Sequence, residues 1–129
     1  MKEYFDITNK ELKKNGGIFI NQLSKRWFKP NLILHRENGP ALEWTLEEKG
    51  KEYEYYINGE RHRDDGPAIE YADGFQQWWK NGRIHREDGP AITYSSGRKV
   101  WVWHGQHAIN ENQWLDTHWR RSVEIKLFM

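Results

Sequence analysis

Residues 78–91 read Trp-Trp-Lys-Asn-Gly-Arg-Ile-His-Arg-Glu-Asp-Gly-Pro-Ala, and the second half of this stretch occurs three times in the chain. The copies start at His35, His62 and His85, and we number these seven-residue units heptad 1 (35–41), heptad 2 (62–68) and heptad 3 (85–91). Heptads 2 and 3 are 23 residues apart (85 − 62), whereas heptads 1 and 2 are 27 apart (62 − 35). A period of roughly 20–50 residues is typical of repeat proteins. The spacing therefore predicts a repeat architecture in which the first copy carries the additional residues.

Each copy contains two predicted strands, one after the Gly-Pro step (41–44, 68–71 and 91–94) and one rich in aromatic residues (53–56, 76–79 and 99–103). The two strands of a copy are joined at Asp73-Gly74 or Ser96-Gly97, and in the first copy by an expanded loop over 45–51. A second set of turns follows at 58–59, 81–82 and 104–105. Asn-Gly and Asp-Gly pairs are typical of type I′ hairpin turns. We therefore expect a mainly β fold, with three to four hairpin repeats over residues 29–109 in one antiparallel sheet, single-layered or curled.

Alternation along the strands assigns side chains to the two faces of this sheet. The predicted packed stripe consists of Leu42, Ile69 and Ile92 with Trp44, Tyr71 and Tyr94. One aromatic ladder is formed by Tyr55, Trp78 and Trp101, and a second ladder on the opposite face by Tyr56, Trp79 and Val102. Aromatic residues on both faces indicate that one face is structural and that the other is covered or binds something.

The two ends of the chain are predicted to cap the array. In the segment 1–28, the capping-box spacing of Thr8 and Glu11 predicts a short helix from about Asn9 to Lys14, and residues 18–20 are predicted to form a short strand or a buried plug. Phe28 lies seven residues before His35, which suggests the remnant of an earlier copy. Residues 110–129 have apolar residues at helical spacing and are predicted to form a C-terminal helical cap, followed by a last strand at 125–128.

Composition limits the functional classes. The chain has 129 residues, which is one domain by size, and its net charge of +1 favours neither long nucleic acid nor an acidic membrane surface. Charged residues make up 30% of the chain and aromatic residues 15%, so aromatic side chains must supply much of the packing. The sequence lacks cysteine, and it lacks an apolar run long enough to span a membrane. We therefore expect a cytoplasmic protein.

The repeated pattern resembles the MORN-type family of β-hairpin repeats, over about residues 27–109. The closest variant has the form Trp-x-x-Asn-Gly-x-x-His-Arg-x-Asp-Gly-Pro-Ala, which is associated with small bacteriophage proteins and with bacterial antitoxin-like proteins. The chain departs from the usual unit by having Arg36, Arg63 and Arg86 where glycine commonly follows histidine. The resemblance implies a hairpin-repeat fold and, by analogy alone, a phage protein in the host cytoplasm that acts against host systems.

The repeated His-Arg pair admits two interpretations. In the structural one, each histidine stacks on its equivalent or bonds a turn carbonyl, each arginine pairs with an acid of a neighbouring copy, and the Asp-Gly-Pro-Ala step makes a turn with glycine at positive φ. In the functional one, the arginines and histidines bind a phosphate while tryptophans stack on a base. The candidate ligand-binding residues are then His35, Arg36, His62, Arg63, His85, Arg86, Trp78, Trp79, Trp101 and Trp103.

Metal and catalytic sites are not predicted, and no cofactor is expected. The six histidines are His35, His62, His85, His104, His107 and His118. Equivalent positions of successive hairpins lie two strands apart, about 9–10 Å, which is too far for side chains to share one zinc ion without leaving their ladder. The acidic residues recur with the fold, whereas a catalytic dyad is expected to be singular. A hydrolase using His85 and Glu87 is not selected by any other feature.

Three functions remain open from the sequence. The first is a non-enzymatic protein that sequesters a small phosphate-containing ligand, such as a nucleotide signal, in evasion of host defence. The second is an inhibitor-like or antitoxin-like module that binds a protein through its aromatic face. The third is an oligomerising scaffold joined through sheet edges or caps. We expect that replacing Arg63 and Arg86 with alanine abolishes nucleotide binding and leaves the fold intact.

Overall fold

The computed structural model describes residues 1–103 and the backbone of residues 105–108. The predicted C-terminal cap at 110–129 lies outside the described residues, as do His104 and His118. The described residues contain the helix α1 (Lys10–Asn15) and the strands β1 (Glu3–Tyr4), β2 (Gly17–Ile20), β3 (Ser24–Lys29), β4 (Ile33–Leu34), β5 (Leu42–Leu46), β6 (Gly50–Glu54), β7 (Tyr56–Ile57), β8 (Glu60–Arg61), β9 (Ile69–Glu70), β10 (Gln76–Gln77), β11 (Trp79–Lys80), β12 (Arg83–Ile84), β13 (Ile92–Thr93), β14 (Lys99–Trp103) and β15 (Gln106–Ala108).

The main strands of successive copies pair side by side in one open, uncurled sheet, which confirms the predicted mainly β hairpin-repeat fold. The strand order is β1-β2-β3-β5-β6-β9-β10-β13-β14-β15, with β4 paired to β3, so neighbours in sequence are neighbours in space. Among the strand pairs along this order in the described residues, β1 with β2 is parallel and the others are antiparallel. The helix α1 has six residues, and no helix in the described part of the chain is long or apolar enough to cross a membrane.

In the described residues the hairpins of the repeats have two kinds of turn, and the outer kind is of the predicted type I′. In the outer hairpins β7–β8 and β11–β12, both central residues have positive φ: 51° at Asn58, 80° at Gly59, 50° at Asn81 and 75° at Gly82. In the inner turn before Phe75, only Gly74 is in the left-handed region, with φ of 94°. There the Gly74 N–H donates to the Tyr71 carbonyl and the Tyr71 N–H donates to the Phe75 carbonyl. This is a type I turn followed by a left-handed glycine, the usual three-residue hairpin connection.

The additional residues of the first copy lengthen a hairpin instead of forming an expanded loop. Strands β5 and β6 pair from Leu42 opposite Glu54 to Leu46 opposite Gly50, whereas β9 and β10 form only two pairs. The predicted loop at 45–51 is therefore wrong over most of its length, because its residues continue the ladder and leave a tight turn at 47–49.

The N-terminal segment forms its own small core. The helix α1 is capped by Asn9, whose side chain accepts from the backbone N–H groups of Glu11 and Leu12, and not by Thr8 as the capping-box spacing predicted. Thr8 instead donates its hydroxyl and its backbone N–H to the Asp6 carboxylate in a tight turn before the helix. Leu12 is fully buried, and it packs in a cluster with Tyr4, Phe19 and Phe28.

The strand β3 belongs to the repeat ladder, but its register differs by one residue from the prediction. The backbone N–H groups of Trp27, Tyr55 and Trp78 donate to the carbonyls of Ala41, Ala68 and Ala91. Trp27 is therefore the equivalent of Trp78, and the prediction that Phe28 is the equivalent was wrong. The loop between β3 and β4 spans three residues, 30–32, whereas the Asn-Gly turns have two, which accounts for the offset.

The repeat core lies beneath the Gly-Pro-Ala steps. The alanines Ala41, Ala68 and Ala91 are fully buried. The following residues, Leu42, Ile69 and Ile92, are also buried, as the packed stripe predicted. Burial of each such aliphatic side chain contributes about 1.5–3 kcal/mol. The aromatic half of the stripe is less protected: Trp44 and Tyr71 are half-buried, and Tyr94 is exposed.

Candidate functional site

Each heptad arginine lies flat against an aromatic ring of the preceding strand. The guanidinium carbon is 3.8 Å from the ring centroid of Trp27 for Arg36, 4.0 Å from that of Tyr55 for Arg63, and 3.9 Å from that of Trp78 for Arg86. Such stacking is favourable because the cation faces the negative face of the π-system. The sequence does not show which aromatic ring each arginine contacts. The ring partners Trp27 and Tyr55 were therefore missed as site residues.

The guanidinium groups are also held by hydrogen bonds within their own copy. Nη1 of each arginine donates to a proline carbonyl four residues later, at 3.1 Å in all three copies (Pro40, Pro67 and Pro90). In heptad 2, Arg63 also donates from Nε to Asp65 at 3.2 Å and from Nη1 to Glu70 at 2.9 Å. The acids that pair with the arginines therefore belong to the same copy, which corrects the prediction of pairing with a neighbouring copy.

The heptad glycines are required by the arginines and not by backbone conformation. Gly39, Gly66 and Gly89 do not adopt positive φ, which contradicts the role predicted for them. A Cβ atom built at Gly66 would lie 2.7 Å from Cζ of Arg63, and the equivalent distances are 2.9 Å at Gly39 and 2.8 Å at Gly89. A larger residue at these positions would force the guanidinium group to shift, because that group lies directly against the glycine backbone.

Each of the first two heptad histidines is bonded to the Asn-Gly turn that precedes the next heptad. Nδ1 of His35 accepts from the backbone N–H of Asn58 at 2.9 Å, and Nδ1 of His62 accepts from that of Asn81 at 3.0 Å. Because Nδ1 is an acceptor, the ring proton of a neutral histidine lies on Nε2, which faces a carboxylate; for His62 this is Asp64 at 3.1 Å. The predicted carbonyl bond or self-stacking is thus replaced by a bond from the Asn-Gly turn that precedes the next heptad.

His85 has a different neighbour. It is buried, its ring centroid lies 4.4 Å from that of Trp103, and its Nε2 is 3.5 Å from the Glu87 carboxylate. The Glu87 side chain is mostly exposed. The distance from His85 to Glu87 lies within the 3.1–3.7 Å range of the other His-acid pairs, and the His85 side chain is the most buried of the three heptad histidines.

Two equivalent grooves lie between successive heptads. The first groove lies between heptads 1 and 2, is floored by Tyr55 and Ile57, and has a volume of about 820 Å³. The second groove lies between heptads 2 and 3, is floored by Trp78 and Lys80, and has a volume of about 380 Å³. We call the surface formed by the three heptads and the two grooves the heptad edge.

The heptad edge is more acidic than its arginines suggest. The three heptads contain three arginines and five carboxylates, a balance of −2 (3 − 5). Carboxylates outnumber cations by three to two among the residues lining the first groove and by four to three among those lining the second. The arginine side chains are about one-quarter exposed, whereas the Asp64 and Asp65 side chains are 74% and 89% exposed. Solvent therefore meets the carboxylates first and the guanidinium groups beneath them.

The predicted site residues are divided by the fold. Arg63, His85, Arg86 and Trp78 line the second groove together, and His62 lies with Arg36 and Arg63 in the first. Four predicted site residues do not line either groove. They are His35, Trp79, Trp101 and Trp103. Trp101 is buried in β14, and its copy has isoleucine, Ile109, at the position equivalent to Arg86.

The opposite face of the sheet carries a polar cluster that the sequence did not indicate. The buried Glu54 carboxylate accepts from the Tyr56 hydroxyl at 3.1 Å and from Arg61 at 3.3 Å, and the Arg61 guanidinium lies 5.0 Å from the Trp79 ring. Burial raises the pKa of the Tyr56 phenol above its ordinary value, and the adjacent Glu54 carboxylate adds to this effect. The equivalent of Glu54 is Gln77 in the next copy, so a charge in one copy is replaced by an amide in another.

Within residues 1–103, where side chains are described, no group of three or more histidine, aspartate or glutamate side chains is close enough to hold a metal ion. Comparison with protein-family models, with curated proteins and with solved structures finds no match for this chain.

Proposed function

We propose that this protein is a non-enzymatic binding module that holds a partner protein on the heptad edge. The observation that carries the proposal is the pair of equivalent grooves, each floored by an aromatic ring and rimmed by exposed carboxylates. Repeated, rigid and partly aromatic surfaces are typical of protein interfaces, in which arginine and aromatic side chains supply the central contacts. The repeat supplies these features twice, in the same orientation.

The rigidity of the grooves supports a binding function and not a catalytic one. The arginine, the proline carbonyl and the aromatic ring of each copy fix one another, so little side-chain freedom is lost when a partner docks. The acidic residues recur from copy to copy, and a repeated carboxylate lacks the distinct environment that separates a general acid from a general base. The lack of cysteine in the sequence accords with a reducing compartment, and we propose a cytoplasmic location.

The alternative ligand, a small phosphate-containing molecule, would need guanidinium groups that are free to donate. Arg63 already donates to Pro67, Asp65 and Glu70 and stacks on Tyr55. A phosphate would have to displace these partners and to approach past the exposed carboxylates, which repel it. The charges on the heptad edge thus favour a protein partner over an anion.

The test compares two variants with the same change in charge. Asp64→Asn with Glu87→Gln removes two carboxylates from the grooves, and each amide oxygen still accepts from the histidine Nε2. Glu47→Gln with Glu48→Gln removes two carboxylates from the exposed turn of the β5–β6 hairpin and serves as the control. A protein captured from source-cell extract, purified and re-tested by calorimetry, should bind wild type and control equally and the groove variant at least about tenfold more weakly.

Two results would contradict the proposal. The first is a captured partner that binds the groove variant as tightly as it binds the wild type. The second is a saturable rise in Tm with a nucleotide, unchanged in the groove variant, because only a ligand bound to the native state raises Tm in this way. A molecular mass that increases with protein concentration in the absence of a partner would favour the oligomeric scaffold instead.

A further inference from the structure

We propose that the heptad edge recognises an extended, basic segment of the partner, in which a lysine or arginine recurs at every third residue and places one cationic side chain in each groove. This inference rests on the proposed function, since it names the kind of segment that the heptad edge binds. It follows from three properties of the grooves: their charge, their floor and their spacing.

The charge of the grooves selects a cation. Each groove is rimmed by the acid that follows its histidine by two residues, and the side chains of Glu37, Asp64 and Glu87 are 78%, 74% and 65% exposed. The oxygen of such a carboxylate that does not face the histidine is open to solvent. An incoming ammonium or guanidinium group therefore meets carboxylates on both walls of a groove, and the exposed ion pairs strengthen as water is excluded.

The floor of the grooves suits the stem of a long side chain. The rings of Tyr55 and Trp78 are half-buried and line the grooves, and each has one face covered by a heptad arginine, Arg63 or Arg86. Lysine and arginine lay their aliphatic stems along such apolar surface while the charged end stays with the polar rim. Ile57 extends this apolar floor in the first groove, and Lys80 takes its place in the second. The first groove is therefore the better cation site of the two.

The spacing of the grooves selects the register of the ligand. Equivalent points of successive copies lie two strands apart, which is about 9.4–9.8 Å. Three residues of a polyproline II segment advance about 9.3 Å, and three residues of a β-strand about 10 Å. A spacing of two residues advances only about 6–7 Å and a spacing of four about 12–13 Å, so neither places two cations in neighbouring grooves without bending the chain.

The experiment uses three blocked peptides of identical composition, with two lysines separated by two, three or four positions in an otherwise uncharged Ser- and Pro-containing chain. Binding to the full-length protein is followed by NMR, through the amide signals of the two grooves. We expect the three-position peptide to bind about tenfold more tightly than the other two, and its signal changes to lie in the heptads. The groove variant Asp64→Asn with Glu87→Gln should reduce this preference, and the control variant at Glu47 and Glu48 should retain it.

A second variant tests the sign of the charge. Replacing Lys80 with isoleucine gives the second groove the same floor as the first, and it should tighten binding of the three-position peptide severalfold. A site for an anion responds in the opposite direction, because the change removes a cation. Correct folding of each variant is checked by its far-ultraviolet circular dichroism spectrum and its Tm.

The outcomes separate this inference from the proposed function. Equal binding of the three peptides that is weakened in the groove variant would overturn the register and leave the grooves as a protein-binding surface. Signal changes confined to residues outside the heptads, or weaker binding after Lys80→Ile, would overturn the inference as a whole. The fate of the proposed function is decided independently, by whether the captured partner still binds the groove variant.

Discussion

The arginine of heptad 2 provides the sharpest test of what holds the repeat together. We expect Arg63→Ala to lower the free energy of unfolding substantially, although the sequence alone suggested that the arginines are dispensable for the fold. The folded protein loses the charge-assisted hydrogen bond from Arg63 to the Pro67 carbonyl, worth about 1.5 kcal/mol. It also loses the stacking of the guanidinium on the Tyr55 ring at 4.0 Å, worth about 1 kcal/mol. The partly exposed pairs with Asp65 and Glu70 add about 0.5 kcal/mol. The sum is roughly 3 kcal/mol.

Gly66 supplies an independent measurement of the same contact. A Cβ at this position would lie 2.7 Å from the Arg63 guanidinium carbon, so Gly66→Ala should push the guanidinium off the ring and cost about 2 kcal/mol. In the Arg63→Ala background the obstructing atoms are gone, and the same alanine should change stability by less than about 0.5 kcal/mol. The two substitutions are therefore expected to be strongly non-additive.

The assay is urea unfolding followed by tryptophan fluorescence, with calorimetric Tm as a second measurement. At this chain length a loss of 3 kcal/mol lowers Tm by about 10 °C. Arg98→Ala is the control, since Arg98 is exposed and lies 5.5 Å from the Tyr94 ring; it should change stability by less than about 0.5 kcal/mol. An Arg63→Ala loss below about 1 kcal/mol, or a Gly66→Ala cost that is equal in both backgrounds, would refute the reasoning.

Three further predictions concern other contacts. Burial raises the pKa of Tyr55, Tyr56 and Tyr71, so both folded and unfolded states hold these protons below pH about 10 and stability is unaffected there. As pH rises above 10 the unfolded chain releases protons first, and the free energy of unfolding should fall; phenolate absorbance of the folded protein that titrates entirely at the ordinary pKa would contradict this. Asn81 has φ of 50°, so Asn81→Ala should cost about 1 kcal/mol while Asn81→Gly costs much less, measured by urea unfolding; equal losses would argue against backbone strain as the cause. His62→Ala removes the acceptor of the Asn81 amide, and hydrogen exchange of that amide should accelerate while the rest of the outer hairpin is unchanged; unaltered exchange would show that the bond does not protect it.

The sheet was predictable because the repeat gives each strand the same neighbours. Once His62 and His85 are recognised as equivalent, strand order and pairing follow, and the structure places each histidine in the lining of a groove and beside the acid two residues after it. Two of the errors in the strands arose where the period is broken. The loop before β4 has one residue more than the Asn-Gly turns, which shifted the assignment of Trp27, and the longer first copy was read as a loop because length alone does not show whether residues pair.

The site was less predictable. Its residues were chosen for their side-chain types, whereas their contacts depend on the path of the backbone. Arginine, histidine and tryptophan are what a phosphate-bearing base requires, and the sequence contains them in register. The path of the chain between Arg63 and Pro67 decides whether the arginine faces solvent or lies against the backbone of Gly66. The spacing of residues in the sequence does not show this path. The three identical distances to the proline carbonyls show that the heptad motif encodes this brace.

The bonds from Asn58 and Asn81 to the histidines of the heptads before them have a consequence for how the chain can change in length. Because the contacts between copies are made by nearest neighbours, an in-frame tandem duplication of residues 62–84 inserts a complete unit of 23 residues and creates one new junction, in which Ile84 precedes His62 as it natively precedes His85. Such a duplication lengthens the sheet by about 9.5 Å and adds one groove. Duplication or deletion of whole copies would therefore change the length of the sheet in fixed increments.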